Sequence, residues 1–232
     1  MAEVLEPAGD ELLPYDNDSA FPGYWNRILS TLREFASHPR LASMRIANAK
    51  KGKDGLTFLL AVVWPINAVT ELSKLAALHS PWVRQKFFPH NDLTNVNWLS
   101  TSLSVLFFPI GTWIGFWVVN AVVHGALWIW RGLHEDLGVL QTARSFGFGL
   151  AFITAVSAPI SLVITVIAPE KGVPYFGLLE LTLSVALLSY LLSKSHRTEL
   201  WKGVAAVLSP TLLLLFLLAG FSLRNLGKLL LR

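Results

Sequence analysis

The stretch LTNVNWLSTSLSVLFFPIGTWIGFWVVNAVVHGALWIW, Leu93 to Trp130, runs for 38 residues without a charged side chain. A straight helix crosses the hydrocarbon of a bilayer in ~20 residues. How this run divides therefore sets the number of crossings. In one solution, Leu93 to Thr101, with Asn95 and Asn97, lies at the interface and one helix runs from about Ser102 to Trp130. In the other, Pro109-Ile110-Gly111 is a tight turn and the run is a helical hairpin. The two asparagines favour the first solution, because half of a spanning hairpin would carry them into lipid, where polar groups need partners.

Four other apolar runs flank this one. They are Leu56 to Leu75 with Pro65, Ser145 to Ala168 with Pro159, Val173 to Ser193 with Glu180, and Gly203 to Leu223 with Pro210. Lys and Arg are enriched in cytoplasmic loops. Distributing them over five or six spans places the N-terminus in the cytoplasm either way, and five spans gives the larger asymmetry. The expected fold is an all-α polytopic membrane protein with about five transmembrane helices plus N-terminal amphipathic helices, of the kind found in a bacterial inner membrane. Three regions are expected: an acidic flexible head (1–21), amphipathic and basic membrane-surface helices (22–54) and a five-helix transmembrane domain (55–232).

Composition agrees. The chain is 53% hydrophobic and 15% charged, with mean hydropathy +0.51, whereas soluble domains are about 25% charged. Nine Trp and fourteen Phe suit lipid-facing and interfacial positions. The absence of Cys excludes disulfides, thiolate metal sites and Cys nucleophiles. Residues 1–26 contain six acids and neither Lys nor Arg, while the remainder is basic. The basic residues stand beside membrane segments, so lipids and other integral membrane proteins are the expected partners and nucleic acid is not. The opening MAEVLEPAGDELLPYDNDSAFPG lacks the basic start and apolar core of a secretory signal. It reads as a head that is flexible alone, or as a peptide that docks on a partner.

From Pro22 to Ser37, Trp25, Ile28, Leu29, Leu32 and Phe35 recur at helical spacing, with Arg27, Arg33 and Glu34 elsewhere. Such a helix either lies on the membrane surface or packs on its own chain. Pro39 is suited to the first turn of a following helix. Arg40, Arg45, Lys50, Lys51 and Lys53 then form a basic cluster before the first span, which reads as facing lipid headgroups. Trp25, Arg27 and Leu32 join these cations as candidate interaction residues.

Polar residues inside spans are the remaining candidates. His124 lies within the long run, with Asn120 one turn earlier on the same face. Buried polar groups in a bilayer are expensive. The expected reading is that both hydrogen-bond a neighbouring helix; a haem or chlorophyll-type pigment on His124 is the minority option, and no second His stands at a matching depth. Otherwise no cofactor is expected beyond bound lipid. Glu180 is a candidate ion or proton site, or a partner for Lys171 at the outer edge. Gly111 and Gly115 offer a small-residue face for close helix packing. His134-Glu135-Asp136 lacks the second His of a zinc protease motif, position 138 being Gly, and reads as a hydrated loop. With no G-x-S-x-G elbow either, no enzyme class is indicated.

Four segments carry a family likeness. HPRLASMRI is similar to a short proline-started helix before a first span. NAVVHGALWIWRGL is similar to a second span ending in a glycine loop. TARSFGFGLAF resembles a threonine–arginine–aromatic entry to a third span. SKSHRTELWKGVAAVL is similar to a His-containing loop before a last span. In this order they resemble the Yip (Ypt-interacting protein) domain family, bacterial-type branch, over roughly His38 to Phe221. The eukaryotic branch's acidic, leucine, tyrosine, glycine, proline motif is absent. The resemblance implies five spans, a cytoplasmic N-terminus and no catalysis; the expected role of the chain is to bind and organise other membrane components. The alternatives are an accessory subunit of an electron-transfer or photosynthetic membrane complex and, more weakly, a transporter.

Overall fold

A computed structural model describes residues 12–48, 55–87, 96–133, 137–167 and 172–213. The described residues are helical apart from turns, with no strand. A short 3-10 turn, Pro14–Asp16, precedes α1 (Tyr24–Ser37), α2 (Pro39–Asn48), α3 (Gly55–His79), α4 (Pro81–Phe87), α5 (Trp98–Ile129), α6 (Val139–Ile167) and α7 (Gly172–Ser195). A shorter apolar helix, α8, covers Leu200–Leu213. Helices α3, α5, α6 and α7 are long and apolar enough to cross a membrane, so the chain is an all-α polytopic membrane protein.

The long uncharged run is one helix rather than a hairpin. Helix α5 continues through Pro109 and starts at Trp98, four residues earlier than Ser102. Asn97 caps it: its side chain accepts from the Ser100 N–H at 2.8 Å, and the Ser100 hydroxyl accepts from the Asn97 N–H at 3.0 Å. This reciprocal cap satisfies two donors of the first turn. Asn95 lies outside the described residues. Proline in a helix interior removes the N–H that would bond the carbonyl four residues back. For Pro109 that carbonyl belongs to Val105, and the Trp64 indole Nε1–H donates to it at 3.0 Å. A side chain of α3 thus supplies the donor that α5 lacks. At 32 residues α5 is ~48 Å long, beyond the ~30 Å hydrocarbon thickness, so it tilts or its ends emerge. It is also the least buried span, at the edge of the bundle, with only 11% of its most apolar window covered.

Helix α6 is the centre, packed on α7, α3 and α5 and touched by α1, α2 and α4. Its crossing with α3 is backbone to backbone. A Cβ at Gly147 would lie 2.5 Å from the Gly55 carbonyl oxygen, and one at Gly55 would lie 2.6 Å from the Arg144 carbonyl oxygen. Close packing therefore falls there and not at Gly111 and Gly115, where an added Cβ would meet nothing within 4 Å. The expectation that Gly111 and Gly115 pack helices is corrected on this point. Both glycines are exposed on α5.

The core beside this crossing is aromatic. Phe58 and Phe148 have ring centroids 4.6 Å apart, and Phe35 stacks on Phe152 at 5.5 Å. Tyr15 meets Phe58 edge-on at 4.9 Å. Residues 12–21 were expected to belong to a flexible head, yet Leu13 and Tyr15 are buried in this core. The Tyr15 N–H donates to the Thr31 hydroxyl at 2.8 Å, and its own hydroxyl bonds that of Thr57 at 3.2 Å. A buried ion pair joins Asp16 to Arg144 of α6, whose guanidinium also sits 5.0 Å from the Phe148 ring centroid. These contacts make the described part of the acidic segment an element of the bundle.

Candidate functional site

The first turns of α6 gather polar groups from four segments. Gln141 Nε2 donates to the Ile46 carbonyl near the end of α2 at 3.0 Å. Arg144 holds Asp16. Between them Thr142, fully buried, faces two histidines. His124 Nδ1 of α5 lies 2.8 Å from the Thr142 Oγ1, and His196 Nε2, just past α7, lies 2.9 Å from the same atom. The imidazole centroids are 6.3 Å apart. One hydroxyl thus bridges the ends of two helices to the start of a third.

The direction of this chain follows from satisfaction. His196 Nδ1 is buried with no hydrogen-bond partner among the described residues. Orphaned buried donors are rarer than under-satisfied acceptors, so this nitrogen is assigned the lone pair. The proton then sits on Nε2 and donates to Thr142 Oγ1, and the Thr142 hydroxyl donates to His124 Nδ1.

Sequence reasoning placed no second His near His124. His196 corrects this. Helices α5 and α7 both end on the side of the bundle where α6 begins, and each histidine lies near such an end. Alternating span direction was the available signal. The hydroxyl of Thr142 stands between the two facing nitrogens, so the histidines are joined to each other through α6. Asn120 departs from expectation in the opposite way. It is fully buried on α5, and neither atom of its amide has a partner among the described residues. It lies one turn deeper than His124.

The other candidates separate. Phe35, Thr31 and Ile28 form the buried face of α1, with Leu32 half-buried beside them, while Trp25 and Leu29 are 59% and 64% exposed. The predicted single apolar face is therefore two adjoining faces. Arg27 pairs with the more exposed Asp18. Arg45 is not free for headgroups, because Glu34 of α1 binds it at 2.7 Å. Arg40 is exposed. Lys50, Lys51 and Lys53 lie outside the described residues, as do Lys171 and His134-Glu135-Asp136. Glu180 is half-buried on α7, its carbonyl accepting from the Ser184 hydroxyl at 2.6 Å. On α3, Glu71 and Lys74 pair with each other at 2.5 Å.

His196 also lines an open cavity of about 370 Å³ at the ends of α5 and α7. Burial first, and the neighbouring His124 second, push its imidazole down from 6.5 to about 4. The unfolded chain binds this proton more tightly than the folded one. Folding is therefore favoured fully above pH ~6.5, and up to about 3 kcal/mol is lost as pH falls through 4. Thermal unfolding in detergent between pH 7.5 and 4 is expected to show this fall. His196→Gln, which keeps a polar atom near Thr142 but does not titrate, is expected to flatten it; an equal slope in the variant would assign the loss to other groups.

No family model, curated protein or solved structure matches this chain.

Proposed function

We propose that the protein is a non-catalytic, multi-pass membrane protein that binds and organises other membrane components, with its N-terminus in the cytoplasm. The Yip-like order of its four segments supports this reading. The observation that carries it is the division of α1. This helix lies outside the spans and is held to the bundle by Ile28, Thr31 and Phe35. Its second apolar face, with Trp25 and Leu29, is left uncovered by the described chain. Anchoring beneath and exposure above make it a pre-organised surface, and pre-organisation lowers the entropic cost of binding. A partner using this surface would find Trp, among the residue types most enriched in binding hot spots.

A photocrosslinking side chain at position 25 or 29, activated in native membranes, tests this. Adducts with a discrete integral membrane protein are expected, and are expected to be absent when the crosslinker replaces buried Phe35. Stable, stoichiometric co-purification of that partner in mild detergent would favour the accessory-subunit alternative. Adducts with lipid alone would overturn the reading.

A further inference from the structure

The cavity beside His196 has a chemistry that the proposed function does not use. Arg131, Arg197 and Lys202 bring three cations to it against one carboxylate, Glu199, with Thr198 between. Helices α5 and α7 end here in the same way. The Gly132 N–H bonds the Leu127 carbonyl at 2.7 Å and the Arg131 N–H bonds that of Trp128 at 3.0 Å. After α7, the Thr198 N–H bonds the Ser193 carbonyl at 2.9 Å and the Arg197 N–H that of Lys194 at 3.3 Å. This turn demands a left-handed residue, normally glycine. Arg131 and Arg197 occupy it with φ of 52° and 51°, the two non-glycine residues with positive φ among those described. Outliers of this kind concentrate at functional sites.

Cations at helix C-termini also complement the helix dipole. At α5, however, Lys202 already serves the terminus, its ammonium donating to the Arg131 carbonyl at 3.4 Å. Neither the Arg131 nor the Arg197 guanidinium has a partner among the described residues, and both residues are exposed. The inner wall holds His196, 1% exposed and with its Nδ1 unpartnered. Helix α8 begins at the same place, and the first N–H groups of a helix point at whatever lies before it. Trp130 and Trp201, next in sequence to the cavity's Arg131 and Lys202, meet at 5.9 Å and are 46% and 52% exposed, a position that suits interfacial tryptophans.

We propose that this cavity binds a phosphate group, that of a lipid headgroup or of a soluble phosphate. Arginine forks match phosphate oxygens. An anion at His196 Nδ1 favours the tautomer with its proton there. The chain behind it then reverses, with Thr142 donating to His196 Nε2 and His124 Nδ1 donating to Thr142. The site is independent of what α1 binds.

Full-length protein in detergent, titrated with a short-chain phosphatidic acid, the matching diacylglycerol and inorganic phosphate, tests it by calorimetry. Phosphatidic acid is expected to saturate one site and diacylglycerol to bind none. In Arg131→Asn/Arg197→Asn, where asparagine still tolerates the left-handed turn, binding is expected to weaken at least tenfold. Inorganic phosphate that competes would identify the phosphate group itself as sufficient. Phosphate that does not compete would identify a lipid headgroup. Equal binding by wild type and variant, or no saturable binding of either ligand, would overturn the proposal. Should the double variant fail to fold, Arg197→Asn alone is expected to weaken binding several-fold, and unchanged binding there would be equally decisive against it.

Discussion

One methyl group at Gly147 is expected to separate α3 from α6. The new Cβ would fall 2.5 Å from the Gly55 carbonyl oxygen, inside any permitted contact, and the obstacle is backbone rather than a side chain that can rotate away. Overpacking a core typically costs ~1–3 kcal/mol, and two helices must shift here instead of one side chain. Gly147→Ala should therefore sharply lower the temperature at which the detergent-solubilised protein loses its monodisperse elution. Gly111→Ala and Gly115→Ala meet open space and should leave it unchanged or slightly raised, because alanine favours helix over glycine by about 1 kcal/mol. A Gly147→Ala protein as stable as wild type would show that the α3–α6 crossing is looser than described.

Asp16→Ala should rank with it. The Asp16 and Arg144 side chains are 2% and 6% exposed. Removing one member of a buried pair leaves the other charge poorly compensated and typically costs about 3–5 kcal/mol. The loss should appear as a lower unfolding temperature and as faster proteolysis between Leu12 and Ser37, since this pair ties the N-terminal segment to α6. Arg144→Leu combined with Asp16→Leu should recover much of the loss, because two apolar groups need no compensation. If Asp16→Ala is neutral, the segment is held by its other contacts, the burial of Leu13 and Tyr15 above all.

The spans were legible because hydropathy is a local property. An apolar run long enough to cross a bilayer announces itself without knowledge of its neighbours. The single-helix reading of Leu93 to Trp130 was also favoured by the asparagines, and Asn97 does stand at a helix start. What was not legible depends on partners far along the chain. The Pro109 ambiguity is relieved by Trp64, 41 residues before the carbonyl that it serves. The acidic segment looked like a flexible head because its composition is polar, yet Asp16 finds Arg144 across 128 residues. Helical spacing grouped Trp25 with Phe35, but spacing does not say how wide a face the neighbours cover. At the candidate site, His124 was visible as a polar residue in a span. Its partners Thr142 and His196 required knowing which helix ends meet.

The hydroxyl bridge between the two histidines has a consequence for biogenesis. Its members leave the ribosome in the order His124, Thr142, His196, at sequence separations of 18 and then 54. An intermediate carrying α5 and α6 can close only one of the two bonds. The second waits until α7 has inserted, so the bridge reports that α5, α6 and α7 have come together. A nascent chain arrested within α7 would hold Thr142 against His124 with one side of its hydroxyl still unmatched.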